Sequence, residues 1–382
     1  MENITISSVN YLNMNIKKSG AKYSAIVGIG EKLKQLSAET GKEYLALNRG
    51  VPAVTLIDLT KVVPLLNFNS PEMQIYPPNN GILKLREAIN EQYFGNKSNP
   101  DNIFVTHGGM GTIDLVIDTL QVDEVLIPKF YWGAYRNIMI MRGVKHGIYE
   151  HYEYLENNAA QLRGKAVIIC DPGNPLGNKY DDADLLYLIE KLDNEGVIVL
   201  FDGPYRKLFI EGEDLFYQQL SKLKNVILME SFSKSLGLSG QRIGFMHTNN
   251  ALFAEEFNIR LLYVTNGVNA FAQLLVHALL TSNEGKAAAI EFRKETIEGM
   301  NQNISYLRKN GFLADEFYQN SKPVGIFSII NVSEDILLEN RIGSVGLPFF
   351  TSTAKEESKA YSRICVASDP IKLELFFNQI KR

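Results

Sequence analysis

Between about residues 100 and 250 the chain alternates short apolar runs with stretches of helical pattern, and this rhythm restricts the fold more than any other feature. The runs lie at 102–106, 124–127, 165–170, 197–201, 225–229 and 242–246. Several are rich in β-branched residues and show no polar alternation, as strands buried on both faces do. Segments between them, such as 185–194, carry helical spacing. The rhythm predicts an α/β domain around a mainly parallel sheet.

At 382 residues the chain exceeds one ordinary core. Its texture changes near residue 275. A long, charged amphipathic stretch at 284–310 predicts a linking helix, and clean strand–helix alternation thins out beyond it. A large domain is expected over 47–280, with a smaller α/β domain built from 1–46 and 281–382.

Hydrophobic residues at 45% and charged residues at 21% describe an ordinary globular protein. The net charge is −4 and no basic run is present to follow a phosphate backbone, so no nucleic-acid partner is expected. The two cysteines, Cys170 and Cys365, fit neither a metal spacing nor a disulfide framework, which suits a reducing cytoplasm. Residues 1–20 are polar, without the apolar core of a signal peptide, and no apolar run reaches membrane-spanning length, so no membrane partner is expected. His146 and His151 are five apart, wrong for one helical face; they read as surface or loop residues, and no metal site is expected.

In open α/β sheets, ligands sit beyond the carboxyl ends of the strands, so the residues that follow each run matter most. They are His107-Gly108-Gly109-Met110-Gly111-Thr112, Phe130-Tyr131-Trp132-Gly133, Asp171-Pro172-Gly173-Asn174-Pro175-Leu176-Gly177, Asp202-Gly203-Pro204-Tyr205-Arg206, and Ser231-Phe232-Ser233-Lys234 leading to Arg242. Singly, each is an ordinary turn, cap or surface lysine. Gathered at one end of one sheet, they mark a site. Ile113, Val116, Ile117 and Leu120 follow at helical spacing, so Met110 and Gly111 open a helix whose N–H groups can meet an anion.

The elements beginning at Asn174, Asp202 and Ser231, with Arg242 eight residues after Lys234, resemble the fold-type I pyridoxal 5′-phosphate (PLP) enzymes, in particular the class I/II aminotransferase family (aspartate aminotransferase-like). The resemblance extends from Gly50 to Arg363. It implies a large PLP-binding domain with a seven-stranded sheet flanked by helices. It also implies an enzyme that moves an amino group between an α-amino acid and a 2-oxo acid. In that reading Lys234 forms the internal aldimine, a Schiff base, and later carries a proton. Asp202 pairs with the pyridine nitrogen, while Tyr205 and Asn174 meet the ring's phenolic oxygen. Gly109, Met110, Gly111, Ser231, Ser233 and Arg242 hold the phosphate, and Trp132 stacks on the ring. Arg363 grips the substrate carboxylate, with Gly50, Trp132 and Asn174 beside it. Tyr76 reaches the phosphate of a neighbouring subunit, which implies a homodimer with shared sites, and Asn266 lies in a stretch that often lines that neighbouring site.

The chain departs from the family pattern in three places. Leu176 stands where threonine is usual, Gly203 replaces a common acidic residue, and no arginine aligns with the one that reads a second carboxylate, so a strict preference for aspartate is not expected and aromatic, aliphatic and other side chains stay open. Other readings stay open. A PLP lyase, catalysing β-elimination or C–S cleavage, would use the same ring-binding residues. A Ser–Lys hydrolase would use Ser231 and Lys234 but leaves Asp202 and Arg242 unexplained. The acidic balance speaks against a DNA-binding sensor, and Gly28-Ile29-Gly30 lacks the third glycine of a dinucleotide loop.

Overall fold

The computed structural model describes residues 16–380. The apolar runs become strands β1 (Ile103–Thr106), β2 (Val125–Pro128), β4 (Ala166–Cys170), β5 (Ile198–Asp202), β6 (Val226–Ser231) and β7 (Gly244–Thr248), joined by β3 (His146–Tyr149). These seven form one sheet in the order β1-β7-β6-β5-β4-β2-β3. Every pairing from β6 across to β3 is parallel, whereas β7 runs antiparallel to both of its neighbours. Strand β3 has no counterpart among the expected runs. It is an edge strand opening on His146-Gly147 and only its last residue is buried, so it lacks the apolar signature. His146 therefore lies in the sheet rather than in a loop. The expected start at Arg242 is also displaced: Arg242 adopts φ 52°, the left-handed region, and the strand begins two residues later.

The major helices are α1 (Ala25–Thr40), α2 (Leu83–Phe94), α3 (Gly109–Thr119), α4 (Gly133–Arg142), α5 (Asp182–Asn194), α6 (Ala251–Thr265), α7 (Ala270–Thr281), α8 (Asn283–Lys309) and α9 (Pro370–Phe377). Successive strand residues point to opposite faces, and each face has its own core. Val167, Ile169, Val199, Phe201 and Leu228 pack with α2, α5 and α7. Ile168, Leu200, Ile227 and Met229 pack with α3, α4 and α6 on the other side. Both faces are dry, which is why the runs showed no polar alternation.

Register brings the strand ends level. Cys170 lies opposite Asp202, Asp202 opposite Met229, and Gly244 opposite both Ser231 and Thr106. The loops that leave β1, β4, β5 and β6 therefore open at one edge of the sheet.

A second sheet, β8 (Phe327–Ile330), β9 (Val345–Gly346) and β10 (Ser362–Cys365), is antiparallel with β10 in the middle. It shares a core with α8 and α9, and Leu47 and Tyr205 pack into that core. Helix α8 meets the expected 284–310 stretch within a residue at each end. The N-terminal arm expected from residue 1 is described only from residue 16, and residues 1–15, 381 and 382 lie outside the described residues. No helix among the described residues is long and apolar enough to cross a membrane.

The turn after β5 is pinned by Arg206, which is fully buried. Its Nε donates to Asp214 Oδ2 at 2.5 Å and its two terminal nitrogens to Asp182 at 2.8 and 2.7 Å. A further bond reaches Asp214 Oδ1 at 2.8 Å, and the guanidinium stacks 4.4 Å from the Phe216 ring centroid. Two carboxylates thus fill two forks of one guanidinium. Removing one partner from such a buried network costs about 3–5 kcal/mol, so the backbone that presents Tyr205 is firmly held.

Candidate active site

The level strand ends enclose a cavity of about 410 Å³. Lys234, Asp202, Tyr205, Gly109, Met110, Trp132, Asn174, Ser231, Ser233, Arg242, Gly50 and Arg363 all line it. Gly111 and Tyr76 do not. Asp202 closes β5 and is buried, and the Tyr135 hydroxyl donates to its Oδ2. Burial pushes the Asp202 carboxyl up to about 7, against the pull of that bond. Among the described residues no cation pairs with it. A cationic nitrogen in the cavity would restore its charge.

Lys234 sits in the helical turn Phe232–Ser235, which Ser231 caps by accepting a bond from Ser233 N. Its Nζ donates to Gly50 O at 2.5 Å. Burial pushes the amine down to about 8; the Cys365 thiol opposes this and the Arg242 and Arg363 charges add to it. A free lysine at about 10.4 is almost wholly protonated at neutral pH, so this environment favours the nucleophilic form.

Asn174 Nδ2 donates to Tyr205 Oη at 3.2 Å, and Arg363 donates to Asn174 Oδ1 at 3.3 Å. Arg363 also donates to Asn48 O, and its guanidinium lies 4.2 and 4.7 Å from the ring centroids of Phe327 and Phe350. It comes from β10, opposite Ile329 and Val345, and is buried. Burial lowers it to about 10, which leaves it charged at neutral pH. Its Nε has no hydrogen-bond partner among the described residues. One planar fork is thus held in place with donor capacity left over.

The remaining corner suits an anion. Helix α3 starts at Gly109 with no side-chain cap, so its first N–H groups are free for a ligand. Ser231 Oγ and Ser233 Oγ are 3.0 Å apart beside it, and Arg242 lines the same corner. Gly108 has φ 87°, and a Cβ there would come within 2.8 Å of the Arg242 guanidinium. Gly111 has a different reason to be bare. A Cβ would sit 2.2 Å from His107 Nε2, so its missing side chain makes room for an imidazole and not for a ligand. Tyr76 is 82% exposed and borders a separate surface depression together with Asn266.

Sequence reasoning missed Tyr135, Arg49 and Phe327. Tyr135 lies three residues after Trp132, one turn along α4, so helical spacing from the cavity aromatic could have found it. Arg49 lines the cavity beside Gly50. Nothing local marks Phe327, which reaches the site only through the second sheet.

The family model described as "Aminotransferase class I and II" matches residues 43–376. The chain belongs to that family. A curated relative of this aminotransferase is the probable aspartate aminotransferase of Methanocaldococcus jannaschii, 29% identical over 279 residues, covering 68% of this chain and 71% of the relative. Another is the probable aspartate/prephenate aminotransferase of Aquifex aeolicus, 28% identical over 246 residues, 60% of this chain and 61% of that one. Among solved structures, the aspartate aminotransferase of Thermus thermophilus with maleate superposes with a TM-score of 0.79 at 19% identity, covering 95% of this chain and 98% of that one. The aminotransferase is a PLP-dependent enzyme of fold-type I.

The cavity of the aminotransferase fits that cofactor. The unpaired buried carboxylate of Asp202 suits a pyridinium nitrogen, the depressed Lys234 amine suits an aldehyde, and the open start of α3 with its two serines suits a phosphate. For the cofactor-free aminotransferase, attachment of PLP should quicken roughly tenfold per pH unit below about 8 and level off above it, as the Lys234 amine loses its proton. Stopped-flow absorbance reads this rate. A profile that keeps rising to the ordinary lysine range would show that the amine is not depressed.

Proposed function

We propose that the aminotransferase holds PLP through Lys234 and takes its amino group from an α-amino acid with an acidic side chain, passing it to a 2-oxo acid. The observation that carries this reading is that Lys234, Asp202 and Arg363 face one cavity, Asp202 and Arg363 buried and Lys234 partly so, and that none of the three has an ion-pair partner among the described residues. When bound, PLP supplies an electron sink for the negative charge left at the substrate Cα. Asp202, bonded to Tyr135, keeps the pyridine nitrogen protonated. Tyr205, with Asn174 behind it, donates to the ring oxygen, and Trp132 covers one ring face. Gly109, Met110, Ser231, Ser233 and Arg242 bind the phosphate, with the Gly111 N–H available from the same turn. Arg363 grips the substrate carboxylate through its fork and fixes which Cα bond breaks. The Lys234 amine, within the same cavity, would carry the proton from the substrate Cα.

Arg363 lies in the second sheet, and Lys234 in the turn that follows β6 of the first. This supports a large domain over 47–280 that holds the cofactor, and a small one from 1–46 and 281–382 that brings the carboxylate anchor. The acidic preference rests on Arg49, an exposed cation on the cavity wall among Ile26, Val27 and Val51, whose side chain makes no hydrogen bond or ion pair among the described residues. The names of the relatives above point the same way. Two unbonded thiols, Cys170 and Cys365, suit a cytoplasmic enzyme.

An absorbance-monitored half-reaction tests the chemistry and the donor together. With an amino acid alone, the bound cofactor's visible band should convert stoichiometrically to the amine form, faster for aspartate or glutamate than for alanine. Steady release of ammonia with the original band retained would instead mean a lyase. In the same assay Arg363→Lys should lower kcat/KM by on the order of 10²-fold, because a point charge replaces a fork.

The exposed Tyr76 and Ile75, which border one surface depression with Thr265 and Asn266, support a homodimer in which Tyr76 completes the partner's phosphate site. Sedimentation at assay concentration should give a two-chain mass. A fully active single chain would contradict the shared site.

A further inference from the structure

A second cavity, of about 200 Å³, adjoins the turn that carries Lys234. Its walls come from α2, the segment after Tyr205, Ser235-Leu236, the end of α7 and the first turns of α8. The reaction described above uses none of its side chains.

Its polar lining is cationic. Lys207 is buried, and its Nζ donates to Gly212 O and, at 3.2 Å, to Gln92 O. Two of the ammonium's three donors are thus bonded, and the Tyr93 ring centroid lies 4.9 Å from Nζ. Arg293 lies 3.8 Å from Glu211, its acidic neighbour here, too far for a hydrogen bond. That Glu211 side chain is 67% exposed and gives a screened partner at best. Lys286, at the mouth, makes no ion pair among the described residues. Ser235 Oγ is buried beside the Tyr93 hydroxyl, which also lines the cavity, and has no other hydrogen-bond partner among them. The buried acids nearby are already engaged. Asp214 is held by Arg206, and Glu230 accepts bonds from Tyr217 Oη and Ser231 N.

A buried ammonium without a carboxylate is costly, and a packed core would place an acid or an apolar residue against it. Here there is space instead. A water occupies about 30 Å³ of liquid, so the cavity admits a phosphate or carboxylate with a short organic body.

We propose that this cavity is a second binding site, for a small oxyanion effector whose phosphate or carboxylate head is held by Lys207, Arg293 and the Ser235 hydroxyl. Ser235 follows Lys234 directly and Lys207 stands two residues after Tyr205, so an occupant touches both turns that present catalytic groups.

Calorimetric titration of the holoenzyme with inorganic phosphate, and separately with malonate, tests the site. A saturable component is expected with at least one of them, and which one answers tells a phosphate ligand from a carboxylate ligand. Arg293→Met and Lys207→Met should each weaken that component by at least about tenfold, while kcat without added anion stays near that of the parent. Malonate held at Arg363 is a separate component that neither variant changes. Arg293 lies nearer the surface than Lys207, so Arg293→Met decides the matter alone if Lys207→Met does not fold. If neither anion shows a component that Arg293→Met removes, the proposal is overturned.

Discussion

One carboxylate, Asp202, is held out of water at the end of a central strand with a single hydroxyl bonded to it. An acid in that position costs stability unless something positive arrives. The surrounding architecture exists to keep it there and to leave the approach open. The parallel sheet sets its depth, α4 delivers Tyr135, and the Arg206 network fixes the turn that follows. The same dry environment depresses the Lys234 amine and leaves Arg363 with unused donors. Burial, applied to one acid and two bases, prepares three different kinds of chemistry in one space.

How much of this could be read from the chain depends on how local the cause is. The central strands were legible because a strand buried on both faces must be apolar throughout. Edge strand β3 escaped because His146-Gly147 carries no such demand. The cavity-lining residues were legible because strand, turn and helix succeed one another in sequence, so Asp202, Ser231 and Lys234 fall at fixed points of a local pattern. Arg363 was found by resemblance, but its setting was not. Its anchoring to Asn48 and its stacking on Phe327 and Phe350 join segments more than three hundred residues apart, or from neighbouring strands, and no local pattern encodes them. The need for glycine at 111 was equally hidden, because the His107 imidazole that takes up the space is placed by the turn before α3 and not by the helix pattern.

The two cavities share a boundary in sequence. Tyr205, Arg206 and Lys207 are consecutive, and they face the reaction site, a structural ion network and the cationic cavity in turn. Lys234 and Ser235 divide in the same manner. Such adjacency gives binding in one cavity a short covalent route to the groups of the other, which lets a regulated enzyme couple them.

The central claim is that Lys234 is the residue that bonds to the cofactor. The most direct measurement is borohydride reduction of the purified holoenzyme, followed by peptide mass analysis. The account expects one reduced PLP adduct per chain, on the peptide containing Lys234, and none in Lys234→Ala. An adduct on another lysine in the parent protein, or an unchanged adduct in the variant, would contradict it.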